Sequence, residues 1–183
     1  MRLPHTCPIT AALWFIAAMA LSTSASAHMD KEALHHAGFW NGFAHPLSGP
    51  DHLAAMLAVG LWSALTARRA SAGLLWGPAG FAMLLLAGAL LGLRGVAVPA
   101  VEPMIAASLL ATGLLVATRL PLPGIAAALG AGLFAIFHGA AHGHELANAG
   151  GAWHTLSGLL MATLLLHGAG LAAGCALRQR AAW

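Results

Sequence analysis

The sequence predicts an all-α, polytopic helical membrane protein with about five transmembrane helices after a cleaved signal peptide. Three observations lead there. Hydrophobic residues make up 60% of the chain and charged ones 7%, and the mean hydropathy is +0.81. A soluble core of 183 residues needs a polar shell, and the polar side chains for one are too few. The apolar residues are also gathered into runs long enough to cross a bilayer, for which about 17–25 helical residues are needed. Lastly, the sparse arginines fall between those runs in an alternating way that reads as topology.

From the N-terminus, Arg2 supplies a basic start, Ile9 to Leu21 an apolar stretch, and Ala25-Ser26-Ala27 a small-x-small cleavage site. Residues 1–27 therefore read as a secretory signal peptide, which leaves 28–183 as a single membrane domain with His28 at its mature N-terminus. Residues 38–46 lead into the first span, and helical, re-entrant and interfacial readings of them all stand. Spans are expected at approximately 49–67, 73–93, 99–118, 121–142 and 152–171. Arg68 and Arg69 follow the first, Arg119 the third, and Arg178 with Arg180 the fifth. The second is followed only by Arg94, and the fourth by no Lys or Arg. The positive-inside rule then places the mature N-terminus in the periplasm and the C-terminus in the cytoplasm, across a bacterial inner membrane. A cleaved signal peptide requires the same orientation. Cys7 would leave with that peptide and Cys175 stands alone, so no disulfide framework or CxxC site exists. The pI of about 9.7 arises from scattered basic residues; the lipid bilayer, and not nucleic acid, is the partner this composition implies.

Two clusters of ionisable side chains interrupt the apolar runs, where such groups cost roughly 2.5–3.5 kcal/mol each and mark function. The first is His45-Pro-Leu-Ser-Gly-Pro-Asp51-His52. Pro46 and Pro50 break the helix here, and Ser48 three residues ahead of Asp51 has the look of a capping arrangement that starts a helix near Gly49. The second is Phe137-His138-Gly-Ala-Ala-His142-Gly-His144-Glu145. His138, His142 and Glu145 follow i, i+4, i+7 and share one helix face, the spacing with which one helix offers a metal two imidazoles. Gly139 and Gly143 keep the helix surface low for close approach. Imidazole with carboxylate suits a borderline divalent ion such as Ni2+, Co2+ or Zn2+. The expected topology brings both clusters to the outer membrane face, although their helices run in opposite directions. Glu102, His144 and His154 are weaker candidates at the same level, and Glu102 also reads as a carboxylate favoured by its helix dipole. His28 would join an α-amino group to an imidazole, with His35 and His36 nearby. His167 lies toward the cytoplasmic half, where an exit step is open to it. Met56, Met83, Met104 and Met161 read as packing, and Gly88-x3-Gly92 and Gly170-x3-Gly174 as helix contacts.

At these residues the chain resembles the HupE/UreJ family of bacterial nickel/cobalt permeases. Its motif His-x5-Asp-His is matched by His45, Asp51 and His52, and its motif Phe-His-Gly-x-Ala/Val-His-Gly-x-Glu by Phe137, His138, Gly139, Ala141, His142, Gly143 and Glu145. The resemblance extends over nearly the whole mature chain. It implies secondary uptake of Ni2+ or Co2+ as transported substrate, no prosthetic group, and a link to nickel-enzyme or cobalamin maturation. It also implies that His45, Asp51, His52, His138, His142 and Glu145 carry transport, and that Glu102 is the family's acidic residue in the middle span. The residues alone leave two rivals: an intramembrane metal-dependent hydrolase, for which His, His and Glu could hold Zn2+ with an open position, and a metal-sensing or metal-sequestering membrane protein. No His-Glu-x-x-His segment and no ATP-binding motif is present.

Overall fold

The structure, a computed structural model, describes residues 38–67, 72–147 and 151–181. The expected signal peptide, His28, His35 and His36 lie outside them. Every regular element among the described residues is helical. They are α1 (Phe39–Ser48), α2 (Pro50–Thr66), a 3-10 turn (Ala72–Leu75), α3 (Trp76–Leu93), α4 (Val101–Thr118), α5 (Gly124–Leu146) and α6 (Ala152–Ala181). Four stretches, Gly73–Leu93, Val101–Thr118, Gly124–Leu146 and Ala152–Gln179, are long and apolar enough to cross a membrane. The remaining expected span is α2, whose 17 residues stand at the short end of what a bilayer requires. Of residues 38–46, Gly38 is the extended N-cap and the rest belong to α1, whose 10 residues are too few to cross. Large apolar side chains such as Met83, Leu110, Leu129, Leu133 and Leu165 point outward, as lipid contact demands.

The break between α1 and α2 differs in detail from the expected capping arrangement. Gly49 is the N-cap of α2, extended at φ −88 and ψ 111, without a side-chain cap, and Pro50 occupies the first turn. Ser48 does not reach forward to α2. Its Oγ donates back to the carbonyl of His45 at 2.9 Å, satisfying a carbonyl near the end of α1. Proline at the first helical position needs no N–H partner, so Pro50 starts α2 without help from Ser48.

Helix packing is organised by glycine. A Cβ at Gly88 would strike the Ile136 carbonyl, and one at Gly92 would strike the Ala140 carbonyl. Reciprocally, a Cβ at Gly139 would strike the Leu85 carbonyl and one at Gly143 the Ala89 carbonyl. α3 and α5 therefore meet backbone to backbone and run parallel. α2 and α6 do the same: Gly60 abuts the His167 carbonyl, and Gly170 abuts that of Leu57. Gly42 against Thr155 and Gly158 against Phe39 seat α1 on the first turns of α6. The 30 residues of α6 rise about 45 Å, so one long helix backs both short ones in sequence.

These pairings fix the course of the chain. α2 ends beside the start of α3, where a Cβ on Gly77 would meet Ser63. The indole Nε1 of Trp62 donates to the Leu120 carbonyl after α4 at 3.0 Å, and Arg178 near the end of α6 donates to the Ala64 carbonyl at 2.9 Å. All of these lie at one end of the bundle. The start of α2, the end of α5 and the start of α6 lie at the other, and the polypeptide runs from end to end with alternating direction. Met56 is fully buried in the central cluster with Phe81 and Leu85, as a packing residue should be, whereas Met83 faces outward.

Gly139→Leu should abolish accumulation of folded protein, because the α3–α5 approach leaves no room for a side chain and overpacking costs about 1–3 kcal/mol or more. Gly168→Ala, at a helical position with open space around it, should leave the melting temperature in detergent equal or higher, by up to about 1 kcal/mol of helix propensity.

Candidate metal site

The two sequence clusters meet at one end of the bundle. His45 from the last turn of α1, His52 from the first turn of α2 and His142 from α5 place one ring nitrogen each within 4.8 Å of the others. The Nε2 atoms of His52 and His142 are 3.1 Å apart. Behind them, the Nδ1 of His52 lies 3.0 Å from Asp51 Oδ1, and the Nδ1 of His142 lies 3.7 Å from Glu145 Oε2. Each carboxylate thus faces the far nitrogen of an imidazole whose near nitrogen points to the centre. The ring of His45 stands edge-on to both, with centroids 4.5 Å from His142 and 5.3 Å from His52.

This geometry follows from local sequence. The proline break lets α1 fold back so that His45 overhangs the start of α2. On α5 the residue after each key histidine is a glycine, about 100° further round the helix. The Gly139 and Gly143 face seats on α3, which turns His138 and His142 toward α2 and α4. His138 lies one turn deeper than His142, fully buried, with Nε2 3.0 Å from Ser108 Oγ of α4 and its ring centroid 4.9 Å from that of His52. It adjoins the three-imidazole cluster without belonging to it.

Chemically the cluster suits a transition-metal ion. Two imidazoles bound to one ion at about 2.0–2.1 Å, at angles from square to tetrahedral, hold their nitrogens roughly 2.9–3.4 Å apart. The 3.1 Å between His52 and His142 falls in that interval. Asp51 and Glu145 place negative charge behind His52 and His142, which favours a cation bound between the rings. In α1, ahead of the first span, burial first and the neighbouring His142 and His52 second lower the His45 pKa to about 4, so its ring is neutral at pH 7, the form that binds metal. A cavity of about 20 Å3 adjoins the cluster, lined by Asn41, Gly42, His45, His142, Glu145 and Thr155 among others. It has room for one water or ion.

Of the weaker candidates, Glu102 in the first turn of α4, His144 in the last turn of α5 and His154 near the start of α6 are all exposed and stand apart from the three imidazoles. They share its end of the bundle and not its centre. Ser108 and Thr155 contribute to the site's surroundings and carry no signal in the sequence, since a hydroxyl in an apolar helix ordinarily bonds its own backbone.

Ser108→Ala should lower thermal stability by about 1–3 kcal/mol by leaving the Nε2 of buried His138 without its partner, read as the melting temperature in detergent. An unchanged melting temperature would show that the Ser108–His138 contact carries no weight.

The chain matches the family model described as HupE / UreJ protein over residues 16–183. It is 41% identical over 160 residues to Protein HupE of Rhizobium leguminosarum bv. viciae, covering 86% of this chain and 80% of that one. No solved structure matches it. The chain belongs to the HupE/UreJ family of membrane proteins, whose members are not enzymes.

Proposed function

We propose that this protein is a secondary transporter that takes up divalent nickel, or cobalt, from the periplasm into the cytoplasm. The observation that carries the reading is the meeting of His45, His52 and His142 from three helices, with ring nitrogens within 4.8 Å, at the end of the bundle where the sequence pattern expects the periplasm. Arginines support that orientation: Arg119 and Arg178 lie toward the opposite end, the cytoplasmic one under the positive-inside rule. The histidines replace the hydration shell of the ion, and Asp51 and Glu145 offset its charge where the surroundings are apolar. His138, one turn deeper, receives the ion next. Neutral nitrogen ligands hold a divalent ion more loosely than thiolates would, and transport needs coordination that can break. The ion is the cargo; its delivery serves maturation of a nickel enzyme or cobalamin synthesis. A hydrolase finds no support in this kinship.

Purified protein in liposomes should accumulate 63Ni2+, and His52→Ala or His142→Ala should reduce the rate at least tenfold while the melting temperature stays near that of the parent. Asp51→Asn preserves shape but removes the charge behind His52, and should weaken Ni2+ binding by about 10–100-fold, measured by titration calorimetry. Binding without flux in the parent would instead indicate a sensor or sequestering protein.

A further inference from the structure

Beyond the outer cluster the bundle buries one more imidazole that nothing in the fold satisfies. His167 of α6 is 1% exposed, and neither of its ring nitrogens has a hydrogen-bond partner. An imidazole sealed into an apolar interior without partners is costly, and packing alone would be served better by leucine. Its position is ordered relative to the site. Phe81 of α3 stands between two histidines: its ring centroid is 6.1 Å from that of His138 and 5.1 Å from that of His167, edge-on to the latter. Along α2, about 12 Å of helix axis separates His52 from Gly60 at 1.5 Å per residue, and Gly60 abuts the His167 backbone. Just past that level, Trp62, Ser63, Thr66, Trp76 and Pro123 line a cavity of about 670 Å3 at the far end of the bundle. The buried histidines thus form a descending series from the outer cluster through His138 and past Phe81 to His167, with the cavity beyond.

We propose that His167 is an inner coordination station, which takes the divalent ion after it passes Phe81 and hands it to the cavity beside Trp62. The inference rests on the transport reading and adds to it a second, deeper ligand. A single neutral imidazole binds a divalent ion weakly, which is what a station before release requires. The lack of a partner leaves a lone pair available without breaking any existing bond.

The test uses the full chain in nickel-loaded proteoliposome assays, with His167→Leu as the main variant. Leucine removes an unsatisfied polar group, so a merely structural histidine predicts unchanged or higher thermal stability together with unchanged transport. The inner station predicts a parent-like melting temperature, parent-like Ni2+ affinity at the outer cluster by titration calorimetry, and 63Ni2+ uptake reduced at least tenfold. His167→Cys, which restores a ligand of different chemistry, should recover a measurable part of that uptake. If His167→Leu does not assemble, His167→Asn is read against the same criteria. Uptake within twofold of the parent overturns the proposal, as does loss of Ni2+ binding in His167→Leu, which would make the residue a support of the outer site. Uptake that Cys fails to recover also overturns it. A parent that binds Ni2+ without moving it removes the transport reading and the inner station together, whereas normal uptake by His167→Leu removes the inner station alone.

Discussion

The contact on which the rest of the bundle depends is the seating of α5 on α3 through Gly139 and Gly143. In a membrane no hydrophobic force drives helices together, and close backbone approach supplies dispersion contacts instead. Here that approach also does geometric work. The same short segment holds His138-Gly139 and His142-Gly143, so each glycine sets the angular position of the histidine before it. Once the glycine face meets Leu85 and Ala89 of α3, the imidazoles have one direction left, toward α2 and α4. Packing and site are therefore written into alternate faces of one helix.

A second constraint acts on the opposite wall. His45 and His52 are separated by a proline-broken turn that leaves two short helices, and neither could hold its place alone. The length of α6 resolves this by lying against both, through Gly158 and Gly42 at α1 and Gly170 and Gly60 at α2. The cluster is then made where the two walls meet. The three imidazoles gather in a corner of the bundle, and the carboxylates of Asp51 and Glu145 sit behind the far nitrogens of His52 and His142. The arrangement leaves one nitrogen of each ring within 4.8 Å of the others.

Much of this was legible in the sequence. The helical class and its apolar runs followed from composition and run length. That His138, His142 and Glu145 share one helix face followed from helical periodicity, and the break ahead of Asp51 from Pro50, whereas Pro46 sits inside α1. Less legible were the ends of elements. α6 runs well beyond the expected 152–171 because apolarity fades where lipid contact ends, while the helix continues to cap α2 with Arg178. Ser48 was expected to cap forward and instead bonds back to His45, since either carbonyl or amide satisfies a hydroxyl and only the turn geometry selects between them.

The sequence by itself determined that this chain crosses a membrane repeatedly as helices, and which two motifs bring metal-binding groups to a common level, because span length, charge bias and the 3.6-residue period are local properties. Tertiary structure decided that His45, His52 and His142 form the centre while His138 drops one turn deeper onto Ser108. It also decided that Glu102, His144 and His154 stay exposed, and that His167 is left buried without a partner. Those outcomes depend on the rotation of each helix about its axis, and that angle is set by which glycine meets which backbone across the bundle.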